Sequence, residues 1–168
     1  MQIGLTWPLQ RLLRTAVPYG APLGRGFCWD AHCITLYGRS SLLLVHCHSR
    51  FTCVRFDMRH EDWARLPEVA AEELELGLRD AGIAPAQIKA YIADAGAVEQ
   101  TRTHGRREVA FLNRAWDDVM AADLLVDRGS RRQPLLNAEV NGRLCRCAGE
   151  EGLAAAHDHL HRYFAHRI

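Results

Sequence analysis

The stretch that decides the fold is residues 32–57, HCITLYGRSSLLLVHCHSRFTCVRFD. It divides into three strand-like runs, 32–37, 41–47 and 51–57. Short connections at Gly38-Arg39-Ser40 and His48-Ser49-Arg50 suit hairpins. The middle run, Leu42-Leu43-Leu44-Val45, is apolar on both faces, which predicts a central strand. The third run alternates, with Phe51, Cys53 and the stem of Arg55 on one side and Thr52, Val54 and Phe56 on the other. Helical patterns surround this meander. The expected class is therefore α+β, a mainly antiparallel sheet of about four to five strands with helices packed against it.

Upstream, residues 2–6 read as a short strand, and Pro8 opens a helix through Leu9, Leu12, Leu13 and Val17. Residues 18–26, rich in Pro and Gly, form a loop. Downstream, residues 60–80 read as a helix carrying Trp63, Leu66, Ala70, Leu74 and Leu78, interrupted at Pro67 and stopped at Gly82. A shorter helix follows Pro85 through Ile88 and Ile92, and residues 97–103 look like another strand. Gly105 precedes the clearest amphipathic helix, whose expected buried stripe is Val109, Leu112, Trp116, Val119 and Met120. Residues 128–149 are broken by Gly129, Pro134, Gly142 and Gly149, with a short edge strand expected at 144–147. A last helix is expected over 150–166, with Leu153, Ala156, Leu160 and Phe164 inward. Without internal repeats or a long linker, residues 1–168 read as a single globular domain.

Hydrophobic residues at 48% and charged residues at 24% exclude long disorder. No apolar run of about 18 residues exists, and residues 1–6 lack the start of a signal peptide. A cytoplasmic protein is expected, with its six cysteines reduced and mostly buried. The net charge of +1 is unevenly spread: +5 over residues 1–59, −6 over 60–100 and +3 over 101–146. That predicts one acidic face and one or two basic ones. Lys89 is the single lysine among 21 basic residues, a bias so global that GC-rich coding explains it better than function.

Three groups of residues carry possible chemistry. In Thr101-Arg102-Thr103-His104-Gly105-Arg106-Arg107, two arginines meet a helix start whose free N–H groups attract anions. Arg106, Ala110, Asn113 and Asp117 continue this segment as one helical stripe, and Thr101 and Thr103 add hydroxyl donors. The second group, Trp29-Asp30-Ala31-His32, contains an acid and a base near a strand start. The third comprises the cysteines and histidines. Cys28, Cys33, His46, Cys47, His48 and Cys53 lack a tight Cys-x-x-Cys knuckle, and His157 with His161 lacks a third ligand. No metal and no cofactor is expected. Neither a nucleophile elbow nor a phosphate-cradling glycine loop is present, so catalytic residues remain unassigned.

The chain resembles an uncharacterised bacterial family of small cytoplasmic proteins, classed as a domain of unknown function. Thr6 and Leu12-Leu13, then Trp29-Asp30-Ala31, Arg39 and residues 42–45 follow the order of that family. Its most distinctive stretch, Thr-x-x-Arg followed seven residues on by Asn, matches Thr103, Arg106 and Asn113, and a later asparagine is similar to Asn137 or Asn141. Arg114 stands where the family often has an acid, and Phe111 where smaller residues are common. The resemblance implies no activity.

These readings converge on a phosphate-binding module for a nucleic acid or nucleotide. Its expected ligand-binding residues are Thr103, Arg106, Arg107, Asn113, Trp29, Asp30 and His32, with a basic surface that also includes Arg102, Arg131 and Arg132. One alternative is a small hydrolase or transferase acting on a polar or phosphorylated substrate. Another is a protein-interaction component of a mobile-element or defence locus, presenting the acidic face at residues 61–75 to a protein partner.

Overall fold

A computed structural model of the chain describes residues 1–148 and 150–167. The meander is present as β2 (Cys28–Leu36), β3 (Arg39–His46) and β4 (Thr52–Arg55), paired antiparallel in sequence order. To this, β1 (Gln2–Leu5) and β5 (Glu99–Arg102) add the order β4-β3-β2-β1-β5. β1 is parallel to both β2 and β5. The class is α+β as expected, but the sheet is mixed: the meander is antiparallel, and both pairings of β1 are parallel. Hairpins force antiparallel pairing, whereas the long connections on either side of the meander allow parallel strands.

Successive side chains of β3 feed two cores, which places helices on both faces of the sheet. Leu42 and Leu44 join Ile3, Leu5, Trp29, Ala31 and Cys53 on one face. Over them pack α3 (Leu66–Asp80) through Leu74 and Leu78, α4 (Pro85–Ala95) through Ile88 and Tyr91, and α7 (Ala156–Ala165) through Leu160 and Phe164. Leu43 and Val45 lie on the other face with Ile34, Leu36, Val54 and Phe56. There they meet α5 (Arg106–Ala121) through Leu112, Ala115 and Val119, and α6 (Pro134–Gly142) through Leu136 and Val140. Two short helices complete the fold, α1 (Trp7–Leu12) and α2 (His60–Ala64). Among the described residues no helix is long and apolar enough to cross a membrane.

Several boundaries differ from the sequence pattern, each for a physical reason. The stripe of α5 is rotated: Glu108 and Asp118 are buried, while Trp116 and Met120 stay 39% and 43% exposed. Arginine partners let the two acids turn inward, Arg25 and Arg107 on Glu108 and Arg143 on Asp118. Residues 134–142 form a helix that hydropathy alone conceals, because Asn137 and Asn141 occupy buried positions beside Leu136 and Val140. α7 begins at Ala156, since Leu144–Cys145 and Ala154–Ala155 pair as a separate two-stranded sheet and leave Leu153 64% exposed. Gly149, expected to break the chain here, lies outside the described residues.

The buried asparagines of α6 close the free edge of β4. Asn141 Oδ1 accepts from Thr52 N at 2.7 Å, its amide donates to Thr52 O at 2.7 Å, and Asn137 Oδ1 accepts from Val54 N at 3.0 Å. Spaced four apart on one helix face, the two amides stand in for a neighbouring strand. Asn141→Ala leaves both polar groups of Thr52 without these partners, and an orphaned buried group costs about 1–3 kcal/mol. The variant is expected to unfold at markedly lower urea concentration; an unchanged midpoint would show that the amide contributes nothing to the edge.

On the opposite face Glu73 is buried at 2% exposure, 3.5 Å from Arg55. Burial raises its pKa from 4.5 to about 7, outweighing the opposing pull of Arg55 and Arg132. The folded state therefore holds a proton that the unfolded chain releases above pH 4.5. Stability from this group is complete below pH 4.5 and declines as pH rises through about 7. Glu73→Gln is expected to flatten that decline, read as melting temperature against pH; a parallel pair of curves would rule out Glu73 as its source.

Candidate functional site

The sheet face under α5 is apolar over β3 and β4 but polar over β1 and the start of β2. In register, Gly4 faces Asp30 on one side and Thr101 on the other. Gln2, Thr6, Asp30, His32 and Thr101 are all buried. His32 Nδ1 lies 2.7 Å from Thr6 Oγ1, and its ring meets the Trp116 indole edge-on with 5.2 Å between centroids. Burial lowers the pKa of His32. These pairs satisfy polar groups that would otherwise be costly to bury.

At the end of β5 the chain turns over this strip and delivers His104. Its Nδ1 is 2.7 Å from Asp30 Oδ1, and its backbone N–H donates to the same oxygen at 3.3 Å. Nε2 lies 3.3 Å from Gln2 Oε1, and Cys47 Sγ is 3.6 Å from Nδ1. Burial is the largest single influence on His104 and would lower its pKa, but hydrogen bonding and charge from Asp30 and Cys28 together outweigh it and raise the pKa to about 9. For Asp30, burial raises the pKa against the pull of His104, while burial and the nearby Asp30 charge hold the Cys47 thiol well above its usual range. At neutral pH this is an imidazolium–carboxylate pair beside a neutral thiol. A cysteine–histidine nucleophile requires the reverse, a depressed thiol pKa in an exposed setting.

Gly105 then opens α5 at φ +140°, and a Cβ there would stand 2.8 Å from Glu108 Oε2. Glu108 is buried against Arg25 at 3.1 Å, and Arg25 also donates to the His104 carbonyl at 2.7 Å. The loop before β2 and this turn enclose a cleft of about 400 Å³, lined by Gln2, Tyr19, Arg25, Arg102, Thr103 and His104 among others. Arg102 lies over the Tyr19 ring, 4.7 Å from its centroid.

The residues singled out from sequence take different places. Asp30 lies beneath the cleft, held to His104, and Thr103 lines it. His32 shares the face of Asp30 but pairs with Thr6. Trp29 points to the opposite face, donating to Tyr91 Oη at 2.9 Å inside the core. Arg107 reaches Glu108, whereas Arg106 and Asn113 are exposed, with no side-chain hydrogen bond or ion pair to other described residues. Arg131 and Arg132 pair with Asp62 and Asp80 beside β4. Four strand steps of about 4.8 Å put them roughly 19 Å from Arg102 on β5, so the basic surface is split. His46 is locked in the core between Ser49 Oγ and Gly26 O, on the face opposite Cys47.

Gln2, Gly4, Arg25 and Glu108 escaped the sequence reading, which weighed Cys47 without Asp30 or His104 as its neighbours. The available signal was Gly4 itself, a glycine between two apolar residues of a strand, which marks a close approach. A Cβ at Gly4 would sit 2.2 Å from Asp30 Oδ1 and 2.9 Å from both His104 Nδ1 and the Thr103 Cα. Gly4→Ala should therefore part Asp30 from His104. Followed by NMR, the His104 imidazole of the parent should titrate at about pH 9, and that of the variant closer to 6.5. Overlapping curves would mean that the pair does not need Gly4.

Asp30 and His104 meet across 74 positions of sequence, so the site draws on much of the chain. A family model described as a domain of unknown function, DUF6933, matches residues 2–156. That span includes every residue of the cleft and of the polar strip beneath it. No curated protein matches the chain in sequence. With nearly its whole length covered, the chain belongs to the DUF6933 family.

Proposed function

We propose that the cleft between the loop before β2 and the start of α5 binds a small phosphate-bearing ligand of nucleotide size. The observation that carries this reading is the convergence of Arg25, Arg102 and the His104 turn on one cleft of about 400 Å³. That volume lies within the ordinary range for small-molecule sites of about 300–1,000 Å³. Arg25 and Arg102 are the basic residues of its lining together with His104, and no carboxylate lines it among the described residues. The N–H groups at the start of the 16-residue α5 point the same way as these cations. Tyr19, 76% exposed at the rim, offers an aromatic face on which a base can stack. A mononucleotide fits this layout better than a polynucleotide, because the arginines at the β4 edge are far away and already paired.

The buried Asp30–His104 pair favours one alternative, a hydrolase or transferase in which His104 acts as general acid toward the bound phosphate. Titration calorimetry with AMP, ADP and inorganic phosphate tests the binding reading. Arg102→Ala, at an exposed position, should weaken phosphate-dependent binding about tenfold, the scale of a charge-assisted contact. Binding should also weaken with added salt. Absence of binding at millimolar ligand, or equal affinity in the variant, would remove this reading; product release from the bound ligand would favour the enzyme.

A further inference from the structure

Below the cleft lies a second arrangement that anion binding does not use. Asp30, Cys47 and His104 present one donor atom each, all within 4.8 Å of one another. Each comes from a different strand or turn, so the sheet register holds them together: Asp30 from β2, Cys47 from the end of β3 and His104 from the turn after β5. We propose that these three side chains form a binding site for a single divalent transition-metal ion of the zinc class.

The first support is geometric. Zinc takes sulfur at about 2.3 Å and imidazole nitrogen at about 2.0–2.1 Å, which at a tetrahedral angle sets the two donors about 3.6 Å apart. Cys47 Sγ and His104 Nδ1 are 3.6 Å apart. Asp30 Oδ1, now 2.7 Å from Nδ1, has to move out by about 0.6 Å to reach the corresponding oxygen–nitrogen edge. A small rotation of one carboxylate supplies that movement.

The second support is independent of these distances. Asp30 Oδ2 is buried, in a residue only 1% exposed, and has no hydrogen-bond partner among the described residues. A buried carboxylate oxygen without a partner is the kind of group that a bound ion satisfies. Charge balance agrees. On binding, the ion replaces the proton on His104 Nδ1 and the thiol proton of Cys47, both released to solvent. A 2+ ion with one carboxylate and one thiolate is neutral overall, as burial requires. The mixed sulfur, nitrogen and oxygen set suits zinc or cobalt and disfavours magnesium and calcium, which take oxygen ligands. By contrast, His157 and His161, 3.2 Å apart on α7, both lie against the Ala81 carbonyl and bring no third ligand.

The test uses the full chain, stripped with chelator and titrated with Co2+ alone, then with Zn2+ in competition. One Co2+ per chain is expected, with a thiolate-to-cobalt charge-transfer band that Zn2+ displaces. Cys47→Ser should abolish the band, and Asp30→Asn and His104→Gln should each weaken binding at least about tenfold. His157→Ala should leave both unchanged. Circular dichroism confirms that each variant is folded, and the unmodified chain alone is decisive if any is not. No stoichiometric cobalt–thiolate complex, a band that survives Cys47→Ser, or binding lost in His157→Ala would overturn the assignment. Because Arg102→Ala leaves these ligands in place, failure here is distinguishable from failure of the anion cleft.

Discussion

Four residues, Gln2–Leu5, are hydrogen-bonded as a strand on both sides, and all four are buried. This short strand joins the antiparallel meander to β5, so everything β5 delivers is positioned through it. Ile3 and Leu5 face the large apolar core, which anchors the strand. The other side of the same strand carries Gln2 and Gly4, and this is where apolar packing stops. Across from Gly4 stand Asp30 and Thr101, and the missing side chain leaves the volume in which the Asp30 carboxylate and the His104 ring meet. One glycine thus converts an ordinary central strand into the floor of a polar site.

Burying charge here is costly unless each group has a partner, and the partners explain the shape of the site. A lone ionised carboxylate at the position of Asp30 would be protonated or exposed; held by the His104 ring and backbone, it is neither. The same logic repeats at both ends of α5, where Glu108 and Asp118 are inward because arginines reach them. Apolar residues at these positions would pack at least as favourably, since desolvation offsets much of the attraction in a buried pair. The pairs nevertheless fix the direction of Arg25 and of the turn through His104, Gly105 and the start of α5. The sequence is consistent with a core that gives up some packing to orient a cleft.

The meander was legible because its information is local: short connections dictate antiparallel pairing, and the apolar run from Leu42 to Val45 marks the centre. Parallel pairing of β1 with β2 and β5 was not, since contacts across 26 and 97 positions leave no periodic trace. Helix α6 was hidden for a related reason. Its buried face contains two asparagines whose partners are backbone groups of β4, so hydropathy registers a break where the structure has a cap. At the site, both halves were visible separately, Asp30 in one segment and His104 in another. Asp30 and His32, two apart on a strand, share a face, and each pairs with whatever lies opposite, which residues 29–32 alone cannot show. The helical stripe through Arg106 and Asn113 is real, but it faces outward.

The two edges of the His104 ring link the cleft to the cluster below it. Nδ1 faces Asp30 and Cys47, and Nε2 faces Gln2 and the cleft side. When Nδ1 carries a proton under the influence of Asp30, the ring is an imidazolium and Nε2 is also protonated. When a metal ion takes Nδ1, the ring is neutral and its remaining proton must sit on Nε2. Both states therefore present an N–H donor toward Gln2, and in both the cluster is neutral overall: imidazolium with carboxylate in the first, a 2+ ion with carboxylate and thiolate in the second. Exchange of the imidazolium and thiol protons for one divalent ion then leaves the net charge beneath the cleft unchanged. The proposed anion cleft and the proposed metal site are then compatible at one histidine, beside which only a glycine on the neighbouring strand leaves room.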